Sequence, residues 1–593
     1  EGQNETVIKA ITDTIQTVEG VELLDTDMGG DTNRTVVTFI GSPEAVAEGA
    51  FQGIRKAAEV IDMRKHTGAH PRMGATDVCP FVPVSGVDMD ECIKISKRVA
   101  ERVGSELGIS IFLYENSATK KEQRNLATIR SGEYEGMAEK LTSDEWNPDY
   151  GPQKLNEGAG VTAIGAREFL IAYNINLNTT DRAYANEIAY ELRERGRWKR
   201  EGNIEPFYYK GDIVNFEEGK FPDGNSDFVA SSFEELEAHY KKSGKDLRAR
   251  YKTLGMDPDN LIGKPAYKDG RFTHVKGIGW VIPEYNRAQI SMNLTNFNIA
   301  AIHDVYDAAV EECTKRGITV TGSEIVGLVP YEALRRAAEH YLKKMGKSPG
   351  MPVPDLVETA IQSLGLRDVG DFNPEDKVLG MPKQDGELVN RVTYDFVDEV
   401  SRDTAAPGGG SVAALAGALG VSLGTMVANL SASKAGFEKH HEELSRIATD
   451  GQKIKDSLVK GVDEDTSAFD KVIDAMRMPK DSDADKETRS KAMQEGYKIA
   501  TNVPLDTVGS CRDALQLCAD ISEIMADEMA SDVGSGALMA YAGAKAAAYN
   551  VKINLKSIDD KQYCEDTNSK LTELLTECES LNNAVSDKVS GTL

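Results

Sequence analysis

The stretch IDMRKHTGAHPRMGATDVCPFVPVSG, residues 61–86, joins two segments whose patterns predict regular structure. Before it, a Ser-Pro pair at 42–43 is an N-cap and first-turn signal, and apolar residues follow at helical spacing. After it, the apolar residues of 78–84 predict a strand, which Pro80 and Pro83 restrict to a sheet edge or a bulge. A loop stiffened by glycine and proline between such elements is a typical position for functional side chains.

Two of the chain's eight histidines, His66 and His70, lie in this loop. A spacing of four residues would suit a metal on a helix, but Gly68 and Pro71 interrupt any helix here, and no HExxH pattern occurs. We therefore expect no metal ion at this loop. His70 is either a hydrogen-bonded structural histidine or a general acid/base, because imidazole titrates near neutral pH.

A polar turn earlier in the chain, DTDMGGDTNRT at 25–35, offers three further functional groups. They are the carboxylate of Asp27, the amide of Asn33 and the guanidinium of Arg34. Such turns are usually only solvated, but this one can face the same cleft as the histidine loop. We count these three residues, together with Arg72 beside His70, as candidates for substrate binding.

Composition narrows the class of protein. A chain of 593 residues should divide into three or four domains, and a net charge of −27 disfavours binding to nucleic acid, whose phosphates attract basic surfaces. Seven cysteines without a CxxC pair predict free thiols in a reducing compartment. No export signal opens the numbered chain. We therefore expect a cytoplasmic protein.

The order of predicted elements gives an α/β region followed by an all-α region. In a second subdomain, residues 169–380, the part 169–328 reads β-α-β-β-α-β, the split-βαβ or ferredoxin-like plan, interrupted by an insertion at 197–272. Residues 1–168 read α-β-β-α-β and fit the same plan if one strand before residue 1 is missing. A linker at 381–391 follows. Residues 392–593 have few prolines and a 3.6-residue periodicity, which predicts a helical bundle.

An uncharged segment, SVAALAGALGVSLGTMVANL at 411–430, has the length of a membrane span. Much of it is Ala, Gly, Ser and Thr, which gives a weak hydrophobic drive, and it contains the small-residue packing motif Gly420-x-x-x-Gly424. We expect a buried, tightly packed helix of the bundle and no membrane span.

Pro407, Gly408, Gly409 and Gly410 stand just before this segment, and Ser411 is its first residue. The motif is either a cap turn at the start of a helix or an anion-binding nest of backbone N–H groups. It is not a Walker motif, because the Lys-Ser/Thr pair is missing. A small-molecule carboxylate fits such a nest as well as a phosphate does.

An acidic run in VDEDTSAF, residues 462–469, comprises Asp463, Glu464 and Asp465. It resembles the acidic first turn of a helix, which the helix macrodipole alone explains. Catalysis by one of these carboxylates is the alternative.

Taken together, these stretches closely resemble the formimidoyltransferase-cyclodeaminase family. The matching segments are LLDTDMGGDTNRT, IDMRKHTGAHPRMGATDVCPF, SGEYEGM, GAREFLIAYNINL, VKGIGW, EIVGLVP, AAPGGGSVAA, VDEDTSAF and AMRMPK. They occur in the family's order across both halves of the chain. The resemblance implies transfer of a formimino group from N-formimino-L-glutamate to tetrahydrofolate, followed by cyclisation to 5,10-methenyltetrahydrofolate with release of ammonia.

The resemblance also implies roles for particular residues. His70 matches the transferase acid/base, Asp465 the cyclodeaminase base in the first turn of its helix, and Asp27 an acidic residue lining the transferase site. In the folate-contacting loop, 151–160 here, the matches are Gly151, Pro152 and Gly160. Tetrahydrofolate would be a co-substrate, polyglutamylated in the cell, with no metal or redox cofactor. Relatives form ring-shaped homo-octamers.

Two alternatives stay open. The helical region can instead be a methenyltetrahydrofolate cyclohydrolase, because relatives of that domain catalyse this reaction. Alternatively, the chain is a non-catalytic scaffold that binds folate polyglutamates.

Overall fold

The computed structural model describes residues 1–29, 33–68, 71–202, 208–382, 385–404 and 406–593. The chain forms two compact units. The first comprises residues 1–300, 312–318 and 325–330, and the second comprises 301–311, 319–324 and 331–593.

The first 168 residues form an α/β arrangement. In chain order the elements are α1 (Glu5–Gln16), β1 (Val21–Gly29), β2 (Arg34–Gly41), α2 (Pro43–Val60), β3 (Val78–Phe81), α3 (Met89–Leu107), β4 (Ser110–Glu115), α4 (Leu126–Arg130), α5 (Glu133–Lys140) and β5 (Val161–Ala166). Strands β1 and β2 pair antiparallel. Strands β3, β5 and β4 form a parallel sheet in that order, so the proline-containing β3 is an edge strand, as predicted.

Helix α2 begins at the predicted signal. The Ser42 hydroxyl accepts a hydrogen bond from the Ala45 amide, and Pro43 occupies the first turn. Its apolar face packs with α3 and the parallel sheet around a core that includes Phe51, Ile54 and the middle of β4. The helix ends at Val60, so the loop that begins at residue 61 leaves directly from the core.

Residues 169–300 form further strands and helices. These are β6 (Ile171–Leu177), α6 (Arg182–Leu192), β7 (Arg197–Trp198), β8 (Arg200–Glu201), β9 (Asp212–Ile213), β10 (Phe221–Pro222), β11 (Val229–Ala230), α7 (Phe233–Lys242), α8 (Leu247–Thr253), β12 (Tyr267–Lys268), β13 (Val275–Ile282) and β14 (Arg287–Leu294). Strand β14 pairs antiparallel with both β13 and β6.

The insertion at 197–272 folds around an apolar cluster of its own, which includes Phe216, Phe233 and Tyr251. Strands β7 and β12 pair antiparallel and bring its two ends together. The pattern near 232–252 predicts one helix, and this is wrong: α7 and α8 are separate. Gly244 adopts a positive φ of 74° between them, which a continuing helix does not permit.

The remaining residues are mainly helical. The elements are α9 (Ile302–Lys315), β15 (Val320–Val326), β16 (Val329–Pro330), α10 (Tyr331–Lys344), α11 (Val353–Leu364), α12 (Pro374–Lys377), β17 (Val378–Leu379), α13 (Thr393–Val400), α14 (Gly409–Ala432), α15 (His441–Arg477), α16 (Asp483–Ile524), α17 (Ala530–Leu555) and α18 (Lys561–Thr592). Helices α14 to α18 pack into the predicted helical domain.

One side of helix α14 packs closely inside this bundle because its small residues allow close approach. A side chain at Gly420 would lie 2.6 Å from the carbonyl oxygen of Gly536 on α17, and one at Gly424 would lie 2.7 Å from Leu517 on α16. Among the described residues, α14 alone is long and apolar enough to cross a membrane, and 61% of its most apolar window is buried in the protein. This burial agrees with the interpretation of α14 as a packed helix of the bundle.

Candidate active sites

In the first unit, the histidine loop, which leads from α2 into β3 within residues 61–86, is joined to the loop at 151–160 by backbone hydrogen bonds. The Met63 amide donates to the Gly158 carbonyl, and the Ala75 amide donates to the Ala159 carbonyl, both at 2.8 Å. Two segments that are about ninety residues apart in sequence therefore form one surface. The resemblance assigns both to the transferase site.

Backbone geometry explains why the loop at 151–160 has Gly151, Pro152 and Gly160, the three residues that match the family. Gly151 and Gly160 adopt positive φ angles of 83° and 74°, and a Cβ atom would overlap the carbonyl oxygen of Ile109 at Gly151 and of Met73 at Gly160. The Pro152 carbonyl accepts a 2.7 Å hydrogen bond from the hydroxyl of Ser110, the first residue of β4. These residues fix the path of the loop, and their contact with folate stays a prediction.

Arg72 anchors the histidine loop to α5. Its guanidinium donates two hydrogen bonds to Glu135, at 2.6 and 2.8 Å, and a third to Glu133 at 3.2 Å. A fourth goes to the carbonyl of His66 at 3.0 Å. The bond to Glu135 raises the pKa of Arg72, and the same contact lowers the pKa of Glu135. Both acids belong to the segment SGEYEGM, whose partner the sequence did not reveal.

His66 and Asn33 connect the same loop to the β1–β2 turn. His66 Nε2 donates to the Asn33 carbonyl at 3.0 Å, and Asn33 Nδ2 donates to the Thr67 carbonyl at 2.6 Å. The Asn33 side-chain oxygen accepts from the Gly2 amide at 2.9 Å. Burial lowers the pKa of His66, and its buried Nδ1 has no hydrogen-bond partner in the described part of the chain.

The remaining predicted transferase residues are located as follows. His70 lies outside the described residues, although its neighbours Gly68 and Pro71 are described. Asp27 is exposed on β1 opposite Val36, and Arg34 begins β2. Asn33 thus lies against the histidine loop and Arg72 is part of it, while the roles of Asp27 and Arg34 in substrate binding stay predictions.

In the second unit, the acidic run is not at a helix N-terminus, and that expectation is wrong. Helix α15 has 37 residues, from His441 to Arg477, and Asp463 to Asp465 lie in its second half. The dipole of this helix therefore does not explain the run. A glycine at 461 followed by acidic residues resembles the start of a helix in sequence, but α15 continues through this position.

Asp465 instead meets the N-terminus of a different helix, α14. Its Oδ2 accepts a 3.0 Å hydrogen bond from the Ser411 amide, and a Cβ atom at Gly410 would overlap the carboxylate. The Ser411 hydroxyl is fully buried and donates to the Val462 carbonyl at 2.8 Å. Burial raises the pKa of Asp465, and the hydrogen bonds from Ser411 partly oppose this effect.

The other two acids have different partners. Asp463 accepts hydrogen bonds from the amides of Leu388, at 2.7 Å, and Val389, at 3.3 Å, and so holds the segment before α13. Glu464 is exposed and forms a 2.6 Å ion pair with Lys460. Of the three, Asp465 is the carboxylate that contacts the glycine-rich turn.

The glycine-rich turn starts α14, and its N-cap residue has no side chain that could accept a hydrogen bond. Pro407 is buried, Gly408 is the N-cap, and the amides of the first turn point along the helix axis without intrahelical acceptors. The Asn550 side chain of α17 covers this turn, and a Cβ atom at Gly409 would lie 3.3 Å from its Nδ2. Asn550 was not predicted. It is a polar residue after the alanine-rich run AKAAAY, and that contrast is a usable signal.

The second site therefore combines three features: a proton acceptor of raised pKa, a set of backbone N–H donors and an amide side chain. Such an arrangement can hold a polar planar group and move a proton at its edge. The sequence indicated the turn and the acid separately. It did not indicate that they touch.

Comparison with known protein families places both sites within recognised domains. The family model for the N-terminal subdomain of the formiminotransferase domain matches residues 1–167, and that for the formiminotransferase domain matches 172–381. The formiminotransferase-cyclodeaminase model matches residues 393–573. Together these matches cover most of the chain.

Curated relatives match nearly the whole chain or one of its two parts. The formimidoyltransferase-cyclodeaminase of Rattus norvegicus is 36% identical over 584 residues, which covers 97% of this chain and 95% of the rat protein. A glutamate formimidoyltransferase of Streptococcus pyogenes is 37% identical over 58% of the chain and 90% of its own length. A methenyltetrahydrofolate cyclohydrolase of Methylorubrum extorquens is 34% identical over 34% of the chain and 96% of its own length.

Proposed function

The chain belongs to the formimidoyltransferase-cyclodeaminase family, and we propose that its two reactions take place at the two sites described above. It transfers the formimino group of N-formimino-L-glutamate to nitrogen 5 of tetrahydrofolate. It then closes the ring to 5,10-methenyltetrahydrofolate and releases ammonia. The observation that carries the two-site assignment is the contact between Asp465 and the N-terminus of α14.

In the first reaction, nitrogen 5 of tetrahydrofolate attacks the amidine carbon of formiminoglutamate. The new C–N bond forms, nitrogen 5 loses a proton, and the bond to the glutamate nitrogen breaks as that nitrogen gains one. We assign both proton transfers to His70, because one imidazole can accept and then deliver a proton. Arg72 and Asn33 act indirectly, by fixing the loop that carries it.

We assign substrate contacts in the transferase site to the β1–β2 turn and the second loop. Asp27 and Arg34 offer opposite charges to a substrate that carries carboxylates and an amidine. Gly151, Pro152 and Gly160 would present the backbone of their loop to folate. For both α/β regions we also propose the split-βαβ plan.

In the second reaction, nitrogen 10 attacks the formimino carbon within the same molecule. Nitrogen 10 loses its proton, and the former imino nitrogen leaves as ammonia after gaining protons. We propose that Asp465 accepts the proton from nitrogen 10 and that the Ser411 amide holds the carboxylate in place. Because the step is intramolecular, alignment by the surrounding turn supplies much of the acceleration.

The transferred carbon stays at the oxidation level of formate in both steps, so no redox cofactor is required. Proton transfer by an imidazole and a carboxylate accounts for the chemistry without a metal. A polyglutamate tail on folate would need local basic residues on this acidic protein. Four lysines of the helical region are candidates for this contact, namely Lys434, Lys439, Lys453 and Lys455. Lys434 pairs with Glu528, whereas Lys453 and Lys455 pair with neighbouring aspartates. Lys439, which is exposed, is the best remaining candidate.

A cyclohydrolase-like second site is the alternative that a specific observation favours, namely the similarity to the Methylorubrum extorquens enzyme. In that reaction water attacks the methenyl carbon and no ammonia leaves. Ammonia release from supplied 5-formiminotetrahydrofolate by the full-length protein supports cyclodeamination. Consumption of methenyltetrahydrofolate without ammonia would support the alternative.

We further propose a homo-oligomer in a reducing cytoplasm. On α14, four exposed apolar residues lie along one side of the helix, and they are Val412, Leu419, Met426 and Leu430. All seven cysteines are free thiols, which supports the reducing compartment.

Sedimentation of the wild type and of Leu419→Lys tests the oligomer. The substitution should lower the molecular mass, and an unchanged mass would show that α14 is not part of the interface.

The most informative test of the function is a coupled assay. Purified full-length protein is given formiminoglutamate and tetrahydrofolate, and methenyl absorbance and ammonia are followed together. We expect equal amounts of both products. Folate binding without any turnover would favour the scaffold alternative instead.

A further inference from the structure

A pair of histidines in the second unit lies outside both sites. His303, in the first turn of α9, stacks on His340 of α10 with ring centroids 4.4 Å apart and an angle of 26° between the rings. The His303 side chain is only 10% exposed, and its buried Nδ1 has no hydrogen-bond partner in the described part of the chain. A buried imidazole nitrogen without a partner is unusual, because its desolvation is not offset.

A carboxylate completes a cluster at this position. His303, Asp304 and His340 each offer one ligand atom, and these atoms lie within 4.8 Å of one another. Asp304 lies 3.7 Å from His303 Nε2, which is too far for a hydrogen bond. Its side chain is 51% exposed, so one side of the cluster opens to solvent.

A second carboxylate, that of Asp307, fixes the orientation of the His340 ring. Its Nε2 and the Asp307 carboxylate are 2.7 Å apart, and because an ionised carboxylate only accepts, Nε2 is the donor. Asp307 also accepts hydrogen bonds from Tyr341 at 3.2 Å and Lys344 at 2.8 Å. A ring fixed in this way keeps the Nδ1 lone pair for a ligand, as carboxylate-bound histidines do at zinc sites.

We propose that His303, Asp304 and His340 bind one divalent transition-metal ion. Two imidazole nitrogens and one carboxylate oxygen are a zinc donor set, and the exposed side leaves a position for water. Calcium and magnesium prefer oxygen ligands and fit less well. Arg336 contributes positive charge at His303, so we expect modest rather than very tight affinity.

The ion would join α9 to α10 and would take no part in the two folate reactions. Its expected effect is therefore on resistance to unfolding, with little change in turnover. This separates the inference from the proposed function, since either can fail while the other holds.

Metal binding is measured on untagged, full-length protein that has been treated with EDTA and dialysed. Zinc is titrated by calorimetry, and cobalt is titrated by its visible absorption bands. We expect one saturable equivalent per chain and a higher melting temperature with zinc. His340→Gln and Asp304→Asn should each lower the affinity at least tenfold and remove the thermal shift.

His440→Gln is the matched control, because His440 is a half-buried histidine at the start of α15 in the same unit. It should bind zinc as the wild type does. Asp304→Asn replaces an exposed side chain and should leave the fold intact, which keeps the test valid if a histidine variant is unstable. The inference is overturned if the wild type shows no saturable equivalent, or if binding is unchanged in both cluster variants.

Discussion

The two candidate sites are built in different ways. The histidine loop of the transferase site is held in place by contacts with three distant segments: the β1–β2 turn, α5 and the loop at 151–160. Asp465 lies within a 37-residue helix and meets one turn of another helix. A loop site therefore depends on many weak, distributed contacts, whereas the helical site depends on one close approach between rigid elements.

This difference predicts where each site is vulnerable. In the helical site, a small change at the point of approach should disable chemistry while the fold stays intact. In the loop site, a comparable backbone change should weaken the structure along with the activity. The predictions that follow test this contrast.

The largest change in rate is expected when His70, the proposed transferase acid/base, is substituted. His70→Ala should lower formimino transfer by about 10²–10⁴-fold, because a positioned acid/base typically contributes that factor. Cyclodeamination of supplied 5-formiminotetrahydrofolate should be unchanged. Both rates are measured separately on the same preparation.

His66→Gln is the control for this assignment. Its Nε2 bonds to the Asn33 carbonyl, and a glutamine amide can donate in its place. Transfer should persist in this variant. If His66→Gln loses transfer while His70→Ala retains it, the working histidine has been misassigned.

Asp465→Asn should produce the opposite result. The amide keeps the shape of the side chain but cannot accept the proton from nitrogen 10, so cyclodeamination should fall by about 10²–10⁴-fold. The formimino intermediate should accumulate in the coupled assay while ammonia release slows by the same factor. Loss of both reactions in a folded protein would show that the two sites are not separate.

Gly410→Ala tests the close approach itself. The new Cβ atom would overlap the Asp465 carboxylate, which is the movable end of a side chain, so the carboxylate should be displaced while the helices stay packed. A displacement on this scale can cost about 10²-fold in rate. Cyclodeamination and the melting temperature are measured together, and only the rate should fall.

Gly509→Ala is the matched control in the same bundle. Gly509 is a glycine of α16 with no atom within 4 Å of the position of a Cβ, so alanine should fit and preserve activity. Equal losses of activity in the two variants would contradict a specific role for Gly410.

Gly160→Ala should damage the loop site through its backbone. A positive φ costs alanine about 1–2 kcal/mol, and the Cβ atom would also overlap the Met73 carbonyl. Gly86→Ala, at a φ of 68° with open space around it, carries the conformational cost alone. The free energy of unfolding and the transfer rate should both fall more for Gly160→Ala. Equal effects would mean that the overlap relaxes without cost.

Much of the fold could be predicted because its signals are local. The helix that starts at Ser42 and the edge strand limited by Pro80 follow from residues adjacent in sequence. Strand β5 was missed because all six of its residues are buried, so it shows no alternation of polar and apolar positions. The two-helix structure of the insertion was missed because Gly244 is a single residue within an otherwise helical pattern.

The sites were less predictable because their contacts are not local. Ser411 and Asp465 are 54 positions apart, and Arg72 and Glu135 are 63 apart. No periodicity links such pairs. The family resemblance named His70 and Asp465, but the contact with Ser411 comes only from the packing of α14 against α15.

The smallest expected effect concerns the stability of the helical site. Burial raises the pKa of Asp465, so the protonated form favours the folded state. That contribution is fully present below the unfolded pKa, near 3.8, and is lost as the pH rises through the higher folded value. At neutral pH the ionised carboxylate therefore destabilises the wild type, and Asp465→Asn should melt at a slightly higher temperature. The difference between the two should shrink as the pH falls towards 4, whereas a difference that is constant with pH would attribute the gain to packing. An inactive Asp465→Asn variant that is more stable than the wild type would mean that burial of the Asp465 carboxylate lowers the stability of the helical domain. The histidine loop would then differ, because changes there should lower stability and activity together.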